Sequence, residues 1–169
     1  MRASIRMAEE DDLSAVRNLC RDYRALLIER TAAIPGFVEA YYGAESFDAL
    51  LAALPEVHAR PGGAILVAER GENIVGCAMN RRVDAETVEI KRIFVDPMAR
   101  GGGIARALVE AAAEAARSAG YRRMVLDTVT TLAEAVRMYE AMGFRTGAPF
   151  YDVDPRFAAH VRFYERDLS

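Results

Sequence analysis

Cysteine and histidine are scarce in this 169-residue chain, with two of each. Cys20 and Cys77 lie on separate apolar segments without Cys-x-x-Cys spacing, and His58 and His160 stand far apart, so neither structural zinc nor a disulfide framework is expected. Long apolar runs are missing as well. Residues 1–30 carry charges throughout, which argues against a signal sequence or membrane span and leads to the expectation of a cytoplasmic protein with no membrane partner. Basic charge is in deficit: 22 Lys and Arg against 25 Asp and Glu give a net charge of −3, a poor match for nucleic-acid phosphates, which need clustered cations. No repeat, low-complexity tract or linker interrupts the sequence. With 52% hydrophobic and 28% charged residues, residues 1–169 read as a single domain.

What is present has a clear order. Ile5 to Ala8 reads as a strand, and Glu9-Glu10-Asp11-Asp12 places acids where a helix start favours them, ahead of Leu13, Val16, Leu19 and Cys20. From Thr31 to Gly63 prolines and glycines punctuate two short helical patterns, Phe37 to Tyr42 and Phe47 to Leu54, in what reads as a variable, partly mobile region. Ala64 to Ala68, Ile74 to Arg82 and Val88 to Val95 then form antiparallel strands joined by turns at Arg70-Gly71-Glu72-Asn73 and Asp84-Ala85. Ile104 to Ala116 repeats apolar residues at helical spacing up to Gly120, and Met124-Val125-Leu126 forms a buried strand. Thr131-Leu132-Ala133-Glu134 matches a capping box opening a second helix that closes at Gly143, and Arg162 to Asp167 is the last strand.

The most informative stretch joins the Val95 strand end to the Ile104 helix through Asp96-Pro97-Met98-Ala99-Arg100-Gly101-Gly102-Gly103. A helix start leaves N–H groups unpartnered and carries partial positive charge, so glycines there let phosphate oxygens approach several donors, and Arg100 adds a forked cation. A dinucleotide fingerprint would need glycine where Arg106 stands, and a P-loop would need Gly-Lys-Ser/Thr, which is absent.

What remains is Arg-x-x-Gly-x-Ala, at Arg100, Gly103 and Ala105, after an Ile-Phe-Val strand end and a proline. This resembles the coenzyme A pyrophosphate loop of the GNAT superfamily of N-acetyltransferases. Glu89 to Val95 looks like the fourth strand of that family, and Ala135 to Phe144 looks like its Ala…Tyr…Gly-Phe helix end. The resemblance implies an α/β (α+β) fold: a mixed, mostly antiparallel sheet of about six to seven strands, splayed between the fourth and fifth, with about four flanking helices. It implies acetyl-coenzyme A as co-substrate and no metal. Its pyrophosphate would lie on Arg100, Gly101, Gly102, Gly103, Ile104 and Ala105, and its pantetheine arm along the backbone of Ile93, Phe94 and Val95.

Two side chains match the catalytic positions of the family. An alkyl amine is neutral in only about one molecule in 2,500 at pH 7, so attack on a thioester needs a route for its proton. Glu89, eleven residues before Arg100, stands where many members keep a general base; the alternative is a solvent-facing residue of an alternating strand. Lys91 shares its face unless a bulge intervenes, and a nearby cation lowers carboxylate basicity, so Glu89 is expected to act through water or to bind the substrate ammonium. Tyr139 matches the tyrosine that protonates the departing thiolate, while its spacing with Val136 and Met142 also suits core packing. A backbone N–H near Val95 is the family's oxyanion donor. One departure stands out: the asparagine that many members place seven residues before this tyrosine is Leu132 here, leaving Thr130 and Thr131 as substitute donors or the contact absent.

For the acceptor cleft the resemblance points to Tyr41, Tyr42, His58, Tyr151, Asp152 and Asp154, with the aspartates drawing in a cationic amine. The leading expectation is an enzyme acetylating a small amine or amino acid. A peptide or protein N-acetyltransferase and a non-catalytic acyl-coenzyme A-binding domain are the alternatives, and a homodimer stays open.

Overall fold

Alternating apolar residues draw the chain into one sheet, and the computed structural model describes residues 2–169 of it. The strands are β1 (Ser4–Met7), β2 (Ala64–Arg70), β3 (Asn73–Arg82), β4 (Thr87–Val95), β5 (Arg123–Val129), β6 (Arg145–Thr146) and β7 (Val161–Asp167), in the order β1-β2-β3-β4-β5-β7-β6. Every neighbouring pair is antiparallel except β4 and β5. That exception follows from the crossover through α5 (Ile104–Ser118), since parallel neighbours need a long connection. β4 and β5 pair only over Thr87–Glu89 and Arg123–Val125, so beyond Glu89 the two strands part and a gap opens.

The expected mixed, splayed sheet is therefore present. Four helices have nine or more residues, α1 (Leu13–Arg30), α3 (Ala44–Ala52), α5 and α6 (Ala133–Ala141), and two short ones, α2 (Phe37–Tyr42) and α4 (Leu54–Val57), lie beside them. α5 buries Leu108, Val109, Ala112 and Ala116 against one sheet face, in a core that includes Val88, Ile90 and Leu126. Val16, Leu19 and Cys20 of α1 pack on the other face with Phe47, Leu51, Met79 and Phe94.

In the Thr31 to Gly63 region the expected helix Phe37–Tyr42 is present as α2, and with α3 and α4 it buries Phe37, Phe47, Leu51 and Leu54, while two other local expectations need correction. Helices this short form in a folded chain because packing supplies what propensity does not. The pattern read as Phe47 to Leu54 is divided: α3 begins at Ala44 and stops at Ala52, and α4 restarts with Pro55 in its first turn, where a missing N–H costs nothing. The capping box at Thr131 does not form. Leu132 is the N-cap of α6 and makes no side-chain capping bond, while Arg30 bonds the Glu134 carboxylate at 3.0 Å and the Thr131 carbonyl at 3.2 Å.

Candidate active site

β4 positions the site through one irregularity. Its register with β3 slips so that Phe94 faces Cys77 and Lys91 faces Met79, leaving Arg92 and Ile93 opposite Ala78 alone. Arg92 takes a left-handed backbone, φ 51°, which costs a side-chain-bearing residue about 1–2 kcal/mol. This bulge resets the alternation: Val88, Ile90 and Ile93 pack toward α5, whereas Arg92 joins Glu89 and Lys91 on the opposite face. Lys91 Nζ lies 3.2 Å from Glu89 Oε1, so the expected shared face is real and the carboxylate is ion-paired.

Arg92 is buried and reaches back over Met79. Its Nη1 donates to His58 Nε2 at 3.1 Å, and because arginine only donates, the His58 proton must sit on Nδ1, which donates to the Asn80 carbonyl at 2.9 Å. Burial, followed by the Arg92 charge, keeps the imidazole neutral and pushes its pKa down to about 4.

The gap between β4 and β5 holds a cavity of about 280 Å³ lined by Ile93, Phe94, Val95, Asp127 and Tyr139. Asp96 N donates to the Val75 carbonyl, so strand alternation turns the backbone groups of Phe94 toward β3 and those of Ile93 and Val95 into the gap. The Val95 carbonyl there accepts from Arg100 Nε at 3.1 Å, leaving the Val95 N–H available. Tyr139 packs edge-on against Phe144, and its hydroxyl makes no hydrogen bond among the described residues. Burial, with a smaller contribution from Asp127, raises its pKa, so the phenol stays a proton donor.

At the outer end the glycine turn meets α5. Gly101 and Gly103 have φ of 98° and 72°, and a Cβ at either would meet nothing within 4 Å, so glycine is needed there for backbone conformation rather than for space. Among the described residues no side chain caps α5, and its first residues Ile104 and Ala105 line a cavity of about 290 Å³ with Arg100, Gly101 and Gly103. This arrangement fits a doubly charged phosphate bridge.

A larger cavity of about 520 Å³ opens on the α1 side and is lined by Tyr41, Tyr42 and Tyr151, three of the acceptor-cleft candidates, by Glu89, and by Arg81 and Arg82, which sequence reasoning missed. His58, by contrast, sits behind Arg92. Asp152 does not line the cavity, and Asp154 is held by Arg156 at 2.6 Å. Glu89 reaches only this larger cavity, whereas Asp127 borders both. Asp127, bonded by the Tyr151 hydroxyl at 2.6 Å, had one sequence signal, an acid directly after the buried Met124-Val125-Leu126 run. Leu132 lines the gap as an apolar group, and Thr128 is the threonine that lines it with Leu132.

Comparison with known proteins agrees with this geometry. The model of the acetyltransferase (GNAT) family matches residues 23–144. An IAA acetyltransferase of Azospirillum brasilense is 39% identical over 100 residues, covering 57% of this chain and 65% of that protein. N-acetyltransferase 8 of Homo sapiens is 39% identical over 104 residues, covering 58% of this chain and 46% of its own. The match thus spans between about half and two thirds of these relatives. Among solved structures, an N-acetyltransferase from Thermoplasma acidophilum in complex with coenzyme A superposes with a TM-score of 0.74 at 18% identity, covering 99% of each chain. Splayed strands, a glycine turn feeding a helix and a family match over most of the chain converge, and the chain belongs to the GNAT acetyltransferase family.

Proposed function

We propose that the protein transfers an acetyl group from acetyl-coenzyme A to a primary amine of a small molecule or amino acid, by direct attack in a ternary complex. One observation carries this reading: the unpaired inner edge of β4 runs from the glycine turn at one end to a carboxylate-bearing cavity at the other. Acetyl-coenzyme A supplies a thioester carbonyl, at which the C–N bond forms as the C–S bond breaks.

The remaining chemistry falls to the protein. The N–H groups of Ile104 and Ala105, freed by the left-handed Gly101 and Gly103, hold the pyrophosphate with Arg100, and the Ile93 and Val95 backbone receives the pantetheine amides. The Val95 N–H then donates to the carbonyl oxygen as negative charge develops. Asp127 stands where the two cavities meet and takes the amine proton, with Glu89 behind it holding the ammonium before transfer; such a base contributes ~10²–10⁴ in rate. Tyr139 donates its phenolic proton to the departing sulfur and recovers one from solvent through the open cleft.

The test is a screen of amines, amino acids and peptides with acetyl-coenzyme A, read by free thiol and by mass of the acetylated product. Thiol release with at least one small amine is expected. Coenzyme A binding without thiol release for any acceptor would refute the reading in favour of a binding domain, and release with peptides alone would make it a peptide enzyme.

A further inference from the structure

We propose that the acceptor carries a carboxylate beside its amine, and that Arg92 receives that carboxylate. The inference rests on the acetyl-transfer reading and names its substrate class. Arg92 is 7% exposed, yet it forms no ion pair among the described residues. A buried cation without an acid is costly, and among the described residues the only groups holding it are His58, which is neutral, and the Met79 sulfur at 3.9 Å. Its Nε is buried without a hydrogen-bond partner, and its Nη2 makes none among the described residues. Those two donors form one edge of the guanidinium, the edge that matches a carboxylate in bidentate fashion. The strained φ of 51° keeps this group on the acceptor face, where Arg92 borders both cavities.

The surrounding charges agree. The larger cavity sets Arg81, Arg82, Lys91 and Arg92 against Glu89 and Asp127, in a chain whose overall charge is −3. Lys91 is engaged by Glu89, and Asp127 faces the thioester end, which leaves Arg92 as the buried cation and Arg81 and Arg82 unpaired at the mouth among the described residues. A polyamine entering here meets like charges. A zwitterion instead places its ammonium on the Glu89 and Asp127 side and its carboxylate against Arg92, with Tyr41, Phe150 and Tyr151 beside its side chain.

Calorimetric titration of the protein saturated with coenzyme A separates these cases without turnover. The probes are glycine, L-methionine, L-phenylalanine and L-glutamate, each beside its α-carboxamide, together with spermidine. At least one acid is expected to bind tenfold or more tightly than its amide, with the preference lost in Arg92→Gln and reduced in Arg92→Lys. Equal binding of every acid and amide, tighter spermidine, no binding by any acid, or a preference that survives Arg92→Gln would each overturn the proposal. The comparison in the unaltered protein stands even if Arg92→Gln fails to fold. Acid preference without thiol release would sink acetyl transfer and leave the carboxylate site, whereas thiol release with equal kcat/KM for acid and amide would do the reverse.

Discussion

His58 ties the Arg92 bulge to β3, and its buried neutrality makes fold stability depend on pH in a defined window. Its pKa falls from the ordinary 6.5 to about 4 in the folded protein, because burial disfavours imidazolium and Arg92 adds like charge. Between those values the unfolded chain binds a proton that the native state refuses. The stabilisation is therefore complete above pH 6.5, declines by up to about 1.4 kcal/mol per pH unit as pH falls, and levels off below the folded value after a total of roughly 3 kcal/mol. Carboxylates that pair in the native state, such as Asp12 with Arg6, also lose stability in acid, so a difference measurement is required. His58→Gln offers one, since its amide can accept from Arg92 and donate to the Asn80 carbonyl without titrating. Urea unfolding of both proteins from pH 7.5 to 5.0 should show the stability gap narrowing by about 2 kcal/mol, all of it lost by the unaltered protein. Parallel curves across that range would refute a neutral buried His58, and a gap that widens would mean that the imidazole is charged against an acid.

Tyr139→Phe should lower kcat by about tenfold or more with little change in acetyl-coenzyme A affinity, because the ring's contacts with Phe144 and Tyr164 survive; equal loss in both parameters would make the hydroxyl a binding group. Asp127→Asn should cost ~10²-fold or more in kcat, whereas Glu89→Gln, at a carboxylate already ion-paired with Lys91, should act mainly on the acceptor KM; the opposite assignment of effects would exchange their roles. Gly103→Ala meets no steric obstacle, so its cost is the left-handed backbone alone, about 1 kcal/mol, and the acetyl-coenzyme A KM should rise about fivefold; an unchanged KM would remove the α5 N-terminus from phosphate binding.

The glycine turn was legible because its chemistry is local, whereas the strand gap was implied only by the family resemblance. Arg100, Gly101 and Gly103 stand in one short run, and the need for positive φ at a helix start is written in residue type. Glu89 and Lys91 were legible together through period-two alternation, and their ion pair follows from it. Arg92 was not, since alternation assigns it to the α5 side; only the slip against Ala78, a property of two strands at once, turns it over. Asp127 was hidden differently. Its place on β5 gives it importance only where β4 departs, and nothing in residues 123–129 marks the point at which pairing ends. The Thr131 box failed because a tertiary contact from Arg30 occupies Glu134, the residue a capping box needs.

The wall of the larger cavity shows why overall charge is a weak guide to a cavity. Asp152 and Asp154 suggested a site that draws in cations, but a charge acts on a ligand only within its screening distance, about 8 Å in physiological salt. Asp154 expends its field on Arg156 at 2.6 Å, while Lys91 and Arg92 stand at the cavity wall. There the dielectric is lower: a unit pair 4 Å apart is worth about 4 kcal/mol near a protein surface, against about 1 kcal/mol in bulk water. Lys91 is paired with Glu89 at that wall, so the buried Arg92 charge, set against Asp127, weighs more than screened surface carboxylates. The register of a single strand, rather than the composition of the chain, decides which charges line this cavity, because a β4 without its bulge would return Arg92 to the core and leave Lys91 and Glu89 to cancel each other.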